Sequence, residues 1–256
     1  MAATTIGLLH PGEMGSAVGA VLRGQGHRIV WASDGRSAET RRRADEAGLE
    51  DAGTVAELAS SSDTIFSVCP PHAALEAAGS VAGFEGVFVD ANAIAPATTR
   101  ELAAVIESAG GDYVDGGIVG SPPRAPGTTR LYLSGPRAES VAELFAGSVV
   151  DARVVSGVIG GASAVKMTYA AWTKGTAALL IAIGELARSE GVEGALLEEW
   201  RLSLPDLPAR SERAARSAAA KGWRWVGEME EIASTFAVAG LPDGFHRAAA
   251  EVFRTR

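Results

Sequence analysis

The sequence predicts an α/β fold: a doubly wound parallel sheet followed by an all-helical C-terminal domain. Three observations carry this reading. Up to about Val155, short apolar runs alternate with helical stretches, the pattern of a parallel sheet with helices on both faces. After Gly161 the alternation stops and no strand signal follows. The chain also holds 31 glycines in 256 residues, about 12% against an ordinary 7% or so. They have no collagen period and read as tight turns and close backbone approaches.

The elements follow in order. Thr5 to Leu9 is a buried strand, Glu13 to Gly24 a helix of small residues with Val18, Val21 and Leu22, Arg28 to Trp31 a second strand, and Ala38 to Ala47 a charged helix. Further strands are expected at Thr64–Val68, Val87–Asp90, Asp112–Val114 and Thr129–Leu133, with helices Ala73–Val81, Ala97–Ser108 and Arg137–Phe145 among them. From Ala162 to Ser189 the text reads as one long, mostly apolar helix, which is usually buried on several sides. Gly191, Gly194, Pro205 and Pro208 mark turns, and helices Ala209–Lys221, Trp223–Ala239 and Gly244–Arg254 complete the chain. The length fits between one and two domains, and the change of pattern divides it at residues 1–157 and 158–256.

Charge and cysteine content exclude several functions. Lys and Arg number 23 against 31 Asp and Glu, a net charge of −8, so neither nucleic acid nor an anionic membrane is an expected partner. One cysteine, Cys69, excludes an intramolecular disulfide framework and a multi-cysteine zinc site. His10, His27, His72 and His246 show no ligand spacing, so no metal is expected. There is no basic, apolar signal segment at the start, and the longest apolar run, Ala177 to Ile183, is far below the ~18 residues that span a bilayer. A cytoplasmic protein is expected.

The first strand runs into Gly7-Leu8-Leu9-His10-Pro11-Gly12-Glu13-Met14-Gly15. From His10 this is x-x-G-x-x-G, the dinucleotide fingerprint without its first glycine. Gly12 lets backbone approach a pyrophosphate, Gly15 lets helix pack on strand, and the helix N-terminus favours the anion. The bland alternative is a plain strand-to-helix turn; its position between first strand and first helix favours cofactor binding.

Here the sequence resembles the β-hydroxyacid dehydrogenase and 6-phosphogluconate dehydrogenase-like NAD(P)-dependent oxidoreductases. Glu13-Met14-Gly15 matches their opening motif. Phe66-Ser67-Val68-Cys69-Pro70-Pro71 resembles their fourth-strand loop along the cofactor, and Asp90-Ala91-Asn92-Ala93-Ile94-Ala95-Pro96 resembles their D-x-S-T-x-x-P segment. Asp115 to Ser121 resembles their substrate-binding D-x-P-x-S-G-G, and Gly160 to Lys166 their G-x-x-x-x-x-K catalytic helix. The blocks occur in order over most of residues 5 to 174, and the helical C-terminus resembles a poorly characterised branch. The resemblance implies a Rossmann-type domain, a nicotinamide cofactor and a small-molecule substrate. His10, Pro11, Gly12, Glu13, Met14 and Gly15 would hold the pyrophosphate, with Cys69, Pro70, Pro71 and Asn92 at the nicotinamide end. Asn92 is alternatively a helix cap.

At the end of the second strand, Ser33 stands at the usual position of the ribose-binding acid, with Asp34 one later and Arg36 and Ser37 beyond. An acid there favours NAD and an arginine accommodates a 2′-phosphate. Ser33, Arg36 and Ser37 favour NADP, while Asp34 keeps NAD open. The Arg41–Arg43 run also reads as a solvated helix face.

Lys166 is the expected catalytic residue. It lies in an apolar stretch, four residues before Ala170 and eight before Lys174, on roughly one helix face. A buried ammonium needs a partner, and burial lowers a lysine pKa toward the range of proton transfer. The resemblance implies that it passes a proton to or from the substrate oxygen during hydride transfer. The competing reading is a snorkelling lysine paired with a surface acid. Gly120, Ser121, Tyr169 and Lys174 are expected on the substrate side, in a pocket between the two domains. Two departures weaken a hydroxy-acid substrate: Ala170 replaces the family's asparagine, and Val119 stands where its loop serine falls. Imine or imino-acid reduction is therefore the alternative, and a non-catalytic nucleotide sensor a third reading. Covalent catalysis by Cys69 is disfavoured beside its reading as a small apolar filler. The Trp223–Glu231 segment reads as core and subunit interface, His246 as a surface or capping residue, and the small helical part as the basis of a homodimer.

Overall fold

The computed structural model describes residues 3–255. The sheet-forming part comprises β1 (Thr5–Leu8), α1 (Glu13–Gly24), β2 (Arg28–Trp31), α2 (Ala38–Glu46), β3 (Glu50–Asp51), α3 (Val55–Ser61), β4 (Thr64–Ser67), a 3-10 turn (Pro71–Ala73), α4 (Ala74–Gly79), β5 (Val87–Asp90), α5 (Pro96–Ser108), β6 (Asp112–Gly120), β7 (Thr129–Ser134), α6 (Ala138–Glu143) and β8 (Val150–Ser156). The helical part comprises α7 (Gly161–Ser189), α8 (Glu193–Ser203), α9 (Leu207–Val238) and α10 (Gly244–Arg254).

One sheet has the order β3-β2-β1-β4-β5-β6-β7-β8. Its first six strands are parallel in the Rossmann order. Strand β7 runs antiparallel to β6, with Gly116 opposite Leu133, and β8 returns parallel to β7. The sheet is therefore mostly, not wholly, parallel. Both faces are buried. Ile6, Leu8, Phe66, Val89 and Val114 face one core with Val18, Leu22 and Val141. Ile65, Phe88 and Tyr113 face the other with Leu58, Ala77 and Leu102. This two-sided burial explains why the strands read as unbroken apolar runs.

Five elements differ from the sequence reading. Strands β3 and β8 and helices α3 and α8 were not expected. Strand β3 is two exposed residues. Strand β8 alternates exposed Arg153 and Val155 with half-buried neighbours, so no apolar run announces it. Helix α3 is seven residues started by a capping box between Thr54 and Glu57. Gly194 sits inside the first turn of α8, and Gly222 does not break α9, which is one helix rather than two. Gly222 is buried there.

The chain divides into two compact units, Met1–Lys166 and Met167–Arg256. The first keeps the opening turn and a half of α7, beyond residue 157, because that turn is hydrogen-bonded to β6 and β7 as described below.

Candidate active site

The turn after β1 is shaped by one close approach. A Cβ on Gly15 would lie 2.3 Å from the His10 carbonyl oxygen, closer than any real contact, so only glycine lets α1 start here. A Cβ on Gly12 would meet nothing within 4 Å, and no side chain caps α1. The turn thus presents a helix N-terminus beside open space. His10 Nδ1 and Arg36 Nε are buried without a hydrogen-bond partner. Burial, with the Arg36 charge, lowers the His10 pKa to about 4, so the imidazole is neutral at pH 7. Pro11 is buried, Met14 packs on the core edge, and Glu13 is exposed in the first turn of α1. An uncapped helix start, an open glycine and two unpartnered nitrogens suit an anionic dinucleotide.

At the end of β2, Ser33 is buried and its carbonyl accepts from Arg41 Nη2 at 2.8 Å. The Asp51 carboxyl is held below its usual range by hydrogen bonds from Ser33 and the Gly53 amide. The acid nearest Ser33 in this arrangement is thus Asp51, at the end of β3, which the sequence did not single out. Ser37 caps α2 by accepting from the Thr40 amide at 3.2 Å. Arg42 and Arg43 pair with Glu39 and Glu46 on the surface, as a solvated helix face does.

Asn92 does not cap α5; the residue at the cap is Ala95, without a side-chain bond. Its Oδ1 accepts from the Cys69 amide at 2.6 Å and its Nδ2 donates to Ser67 Oγ at 3.1 Å. The amide side chain therefore staples the loop after β4 to the loop after β5. Pro70 and Pro71 start the 3-10 turn that follows. Burial pushes the Cys69 thiol up to about 12, so it is a protonated wall, not a nucleophile.

Lys166 Nζ donates to the Ile118 carbonyl of β6 at 2.8 Å. A Cβ on Gly117 would lie 2.9 Å from the Ala162 carbonyl and 3.0 Å from Lys166 Cβ, so the glycine lets β6 touch α7. The start of α7 is fixed by Asp115, which is buried. Its Oδ2 accepts from Ser134 Oγ at 2.7 Å and from the amides of Gly160 and Ser163 at 3.0 Å each; its Oδ1 accepts from Ser163 Oγ at 2.6 Å. Ser163 Oγ also meets Thr99 Oγ1 at 2.8 Å. Nearby, the buried Asp90 accepts from Tyr113 and the Asn92 amide at 2.9 Å each. Desolvation raises its pKa to about 7. The sequence flagged Asp90 and Asp115 only as motif members; their structural work depends on partners up to 48 residues away.

Gly120 and Ser121 continue from the strand that Lys166 touches; Gly120 has φ +119°, and the Ser121 carbonyl accepts from Thr129 Oγ1 at 2.5 Å. Tyr169 and Lys174 belong to the second unit. Tyr169 is exposed, and Lys174 Nζ lies 2.5 Å from Glu228 Oε2. That contact is an ion pair by distance, and Glu228 Oε2 is buried with no hydrogen bond assigned to it. Trp225 packs on Phe253 at 5.1 Å, whereas Trp223 is exposed. His246 is neither a surface nor a capping residue. It is buried against Phe236, 4.2 Å between ring centres, and desolvation lowers its pKa.

The first unit is thus a Rossmann-type α/β body whose strand ends carry an anion-ready turn and a lysine-bearing helix. Residues 5–147 match the NAD binding domain of 6-phosphogluconate dehydrogenase, and the chain belongs to that family. Residues 187–255 match a domain of unknown function (DUF1932). Three solved structures resemble the chain along nearly all its length. One is a conserved protein of unknown function reported to resemble 3-hydroxyacid dehydrogenases (29% identity, TM-score 0.72, 98% of this chain and 96% of that one). Another is 3-hydroxyisobutyrate dehydrogenase from Salmonella typhimurium (16%, TM-score 0.76, 98% and 93%). The third is a reductive aminase from Aspergillus terreus in complex with NADPH and ethyl levulinate (21%, TM-score 0.63, 99% and 93%). The last two share the fold.

Proposed function

We propose that the chain is an NADP-dependent oxidoreductase acting on a small hydroxy acid or a related alcohol or carbonyl compound. The observation that carries this is the Lys166 ammonium, held 2.8 Å from the Ile118 carbonyl at the strand that leads to Gly120 and Ser121. The Ile118 contact fixes where the Lys166 ammonium sits, beside the strand end that carries Gly120 and Ser121. In this reading Lys166 donates a proton to, or takes one from, the substrate oxygen. Gly12, Glu13, Met14 and Gly15, with His10 and Pro11, hold the pyrophosphate, and Cys69, Pro70 and Pro71, positioned by Asn92, wall the nicotinamide. When bound, the cofactor supplies or accepts the hydride. Ser33, Arg36 and Ser37 take the 2′-phosphate. Support for NADP over NAD comes from Arg36, whose Nε lacks a partner, and from the serine at position 33; Asp51, which accepts from Ser33, is the acid that favours NAD. Gly120, Ser121, Tyr169 and Lys174 contact substrate.

The test is Lys166→Met, with a substrate found by screening hydroxy acids, aldehydes and ketones with and without amines. Turnover should fall by about 10²–10⁴-fold, with NADPH affinity nearly unchanged. Turnover within a few-fold of wild type would remove the lysine from the chemistry. Strict amine dependence would favour imine reduction, a reading supported by apolar Val119 and Ala170. Tight NADPH binding without turnover on any substrate would make the chain a sensor, and a strong preference for NADH would overturn the cofactor choice. A homodimer is also proposed: Leu179 and Leu186, seven residues apart on α7, are 46% and 64% exposed, and Leu202 and Val238 are more so. Such apolar exposure marks contact surfaces; a monomeric mass by light scattering would refute it.

A further inference from the structure

The helical unit, taken by itself, holds a cavity of about 440 Å³ between α7 and α9, lined by Trp172, Lys174, Arg210, Arg213, Ser217 and Trp225 among others. That volume lies in the range of small-molecule sites, about 300–1,000 Å³. Its charge is unusual for a chain of net −8. Arg210 and Arg213 stand three residues apart on α9, where like charges on one helix face repel. Neither has an ion pair or a side-chain hydrogen bond among the described residues, whereas Arg216, three residues further on, pairs with Glu212. Lys174 is already met by Glu228, so the two guanidinium groups leave the cavity about two charges positive. Two indoles complete the wall, with Lys174 Nζ 6.0 Å from the Trp225 ring centre.

We propose that this cavity binds a small organic carboxylate with a planar or apolar body. The arginine forks match a carboxylate in geometry as well as charge. Trp172 and Trp225 offer flat apolar surface to the rest of the molecule, and Ser217 adds a hydroxyl that can serve a second oxygen. An occupant of this kind removes the repulsion between Arg210 and Arg213. The inference concerns binding only: Lys174, assigned to substrate in the redox reading, also lines this cavity, but the binding test does not depend on turnover.

The full-length protein would be titrated with benzoate and with its neutral counterpart benzamide, by calorimetry and by quenching of tryptophan fluorescence. Benzoate is expected to saturate, with benzamide at least about tenfold weaker, since tenfold is the modest worth of one charge-assisted contact. The double variant Arg210→Gln/Arg213→Gln should lose at least that factor for benzoate and leave benzamide unchanged. Both arginines are exposed, so folding should survive, as circular dichroism would verify. Trp172→Leu should weaken benzoate more than acetate, separating the aromatic wall from the charge. NADPH affinity serves as the internal control and should not move in either variant. Equal binding of benzoate and benzamide, no saturation at millimolar benzoate, or an unaffected double variant would each overturn the proposal. So would a change of oligomeric mass in the double variant without any benzoate binding in wild type, which would make the cavity an interface between copies.

Discussion

Replacing Asp115 tests whether the start of α7 is held by one buried carboxylate. Four hydrogen bonds converge on it, from Ser134 Oγ, Ser163 Oγ and the Gly160 and Ser163 amides. In Asp115→Ala, the Ser163 hydroxyl can turn to Thr99 Oγ1, 2.8 Å away, and the Ser134 hydroxyl can rotate. The two backbone amides cannot. Each unpartnered buried donor costs about 1–3 kcal/mol, giving a loss of about 2–6 kcal/mol. A water entering the vacated space would bring the loss toward the lower end. Even so it is a large share of a typical total of about 5–15 kcal/mol. Asp115→Asn is gentler. Its carbonyl can occupy the Oδ2 position and serve three donors, while its NH2 faces Ser163 Oγ, which then donates to Thr99. What is lost is charge assistance, about 1–2 kcal/mol. The assay is urea unfolding followed by far-UV circular dichroism. Four of the five tryptophans lie in the helical unit and only Trp31 in the other, so fluorescence would report mainly the wrong unit. The expected order is wild type, Asn, then Ala. An Ala variant within about 1 kcal/mol of wild type, or an Asn variant as costly as Ala, would refute the reasoning.

Three further outcomes follow from the same geometry. The Asp90 pKa is raised from 3.8 to about 7, so the native state holds a proton that the unfolded chain has released between those values. Its stabilising contribution is full below pH 3.8 and is lost as pH rises through 7. Asp90→Asn should therefore flatten the fall in urea midpoint between pH 4 and about 7, and an unchanged pH profile would exclude Asp90 as the titrating group. Gly15→Ala forces a Cβ to 2.3 Å from the His10 carbonyl, so the turn must move: an overpacking cost of about 1–3 kcal/mol is expected in thermal unfolding, with weakened NADPH binding, and an unshifted melting curve would show that the turn has slack. Cys69, with its thiol pKa near 12, should react with iodoacetamide at pH 8 far more slowly than free cysteine, and mass spectrometry showing comparable rates would contradict its burial as a thiol.

The parts of the fold that were legible in the sequence are those whose signal is local. The α1, β2, β5 and α10 boundaries follow from apolar runs and turn residues, and the structure gives Glu13–Gly24, Arg28–Trp31, Val87–Asp90 and Gly244–Arg254. Strand β8 was illegible because its exposed edge carries Arg153 and Val155 in alternation with half-buried residues, and a seven-residue α3 has too few turns to show a period. The same division runs through the candidate site. Gly15 could be assigned a packing role from its offset after β1. The Lys166–Ile118 contact, the Asn92 staple and the Lys174–Glu228 pair join residues 48, 23 and 54 positions apart, and no spacing rule connects them.

Acid excess makes the uncompensated cations informative, provided burial and position are weighed with charge. With 31 acids for 23 bases, a base without an acid beside it is not explained by scarcity. An exposed arginine such as Arg124 is solvated and needs no partner. Arg36 is different: it is half-buried, its Nε meets no acceptor, and its charge helps keep His10 neutral. That arrangement costs stability unless an anion arrives, because a buried donor left unpaired is paid for in desolvation. Arg210 and Arg213 are exposed, and what sets them apart is that both line one concave space with two indoles. By contrast, the buried carboxyl groups of Asp90 and Asp115 are served by hydroxyls and amides rather than by cations. Buried acids are thus served internally by neutral donors, whereas Arg36 leaves a buried donor unmet, and the NADPH and benzoate titrations test whether anions are what these arginines receive.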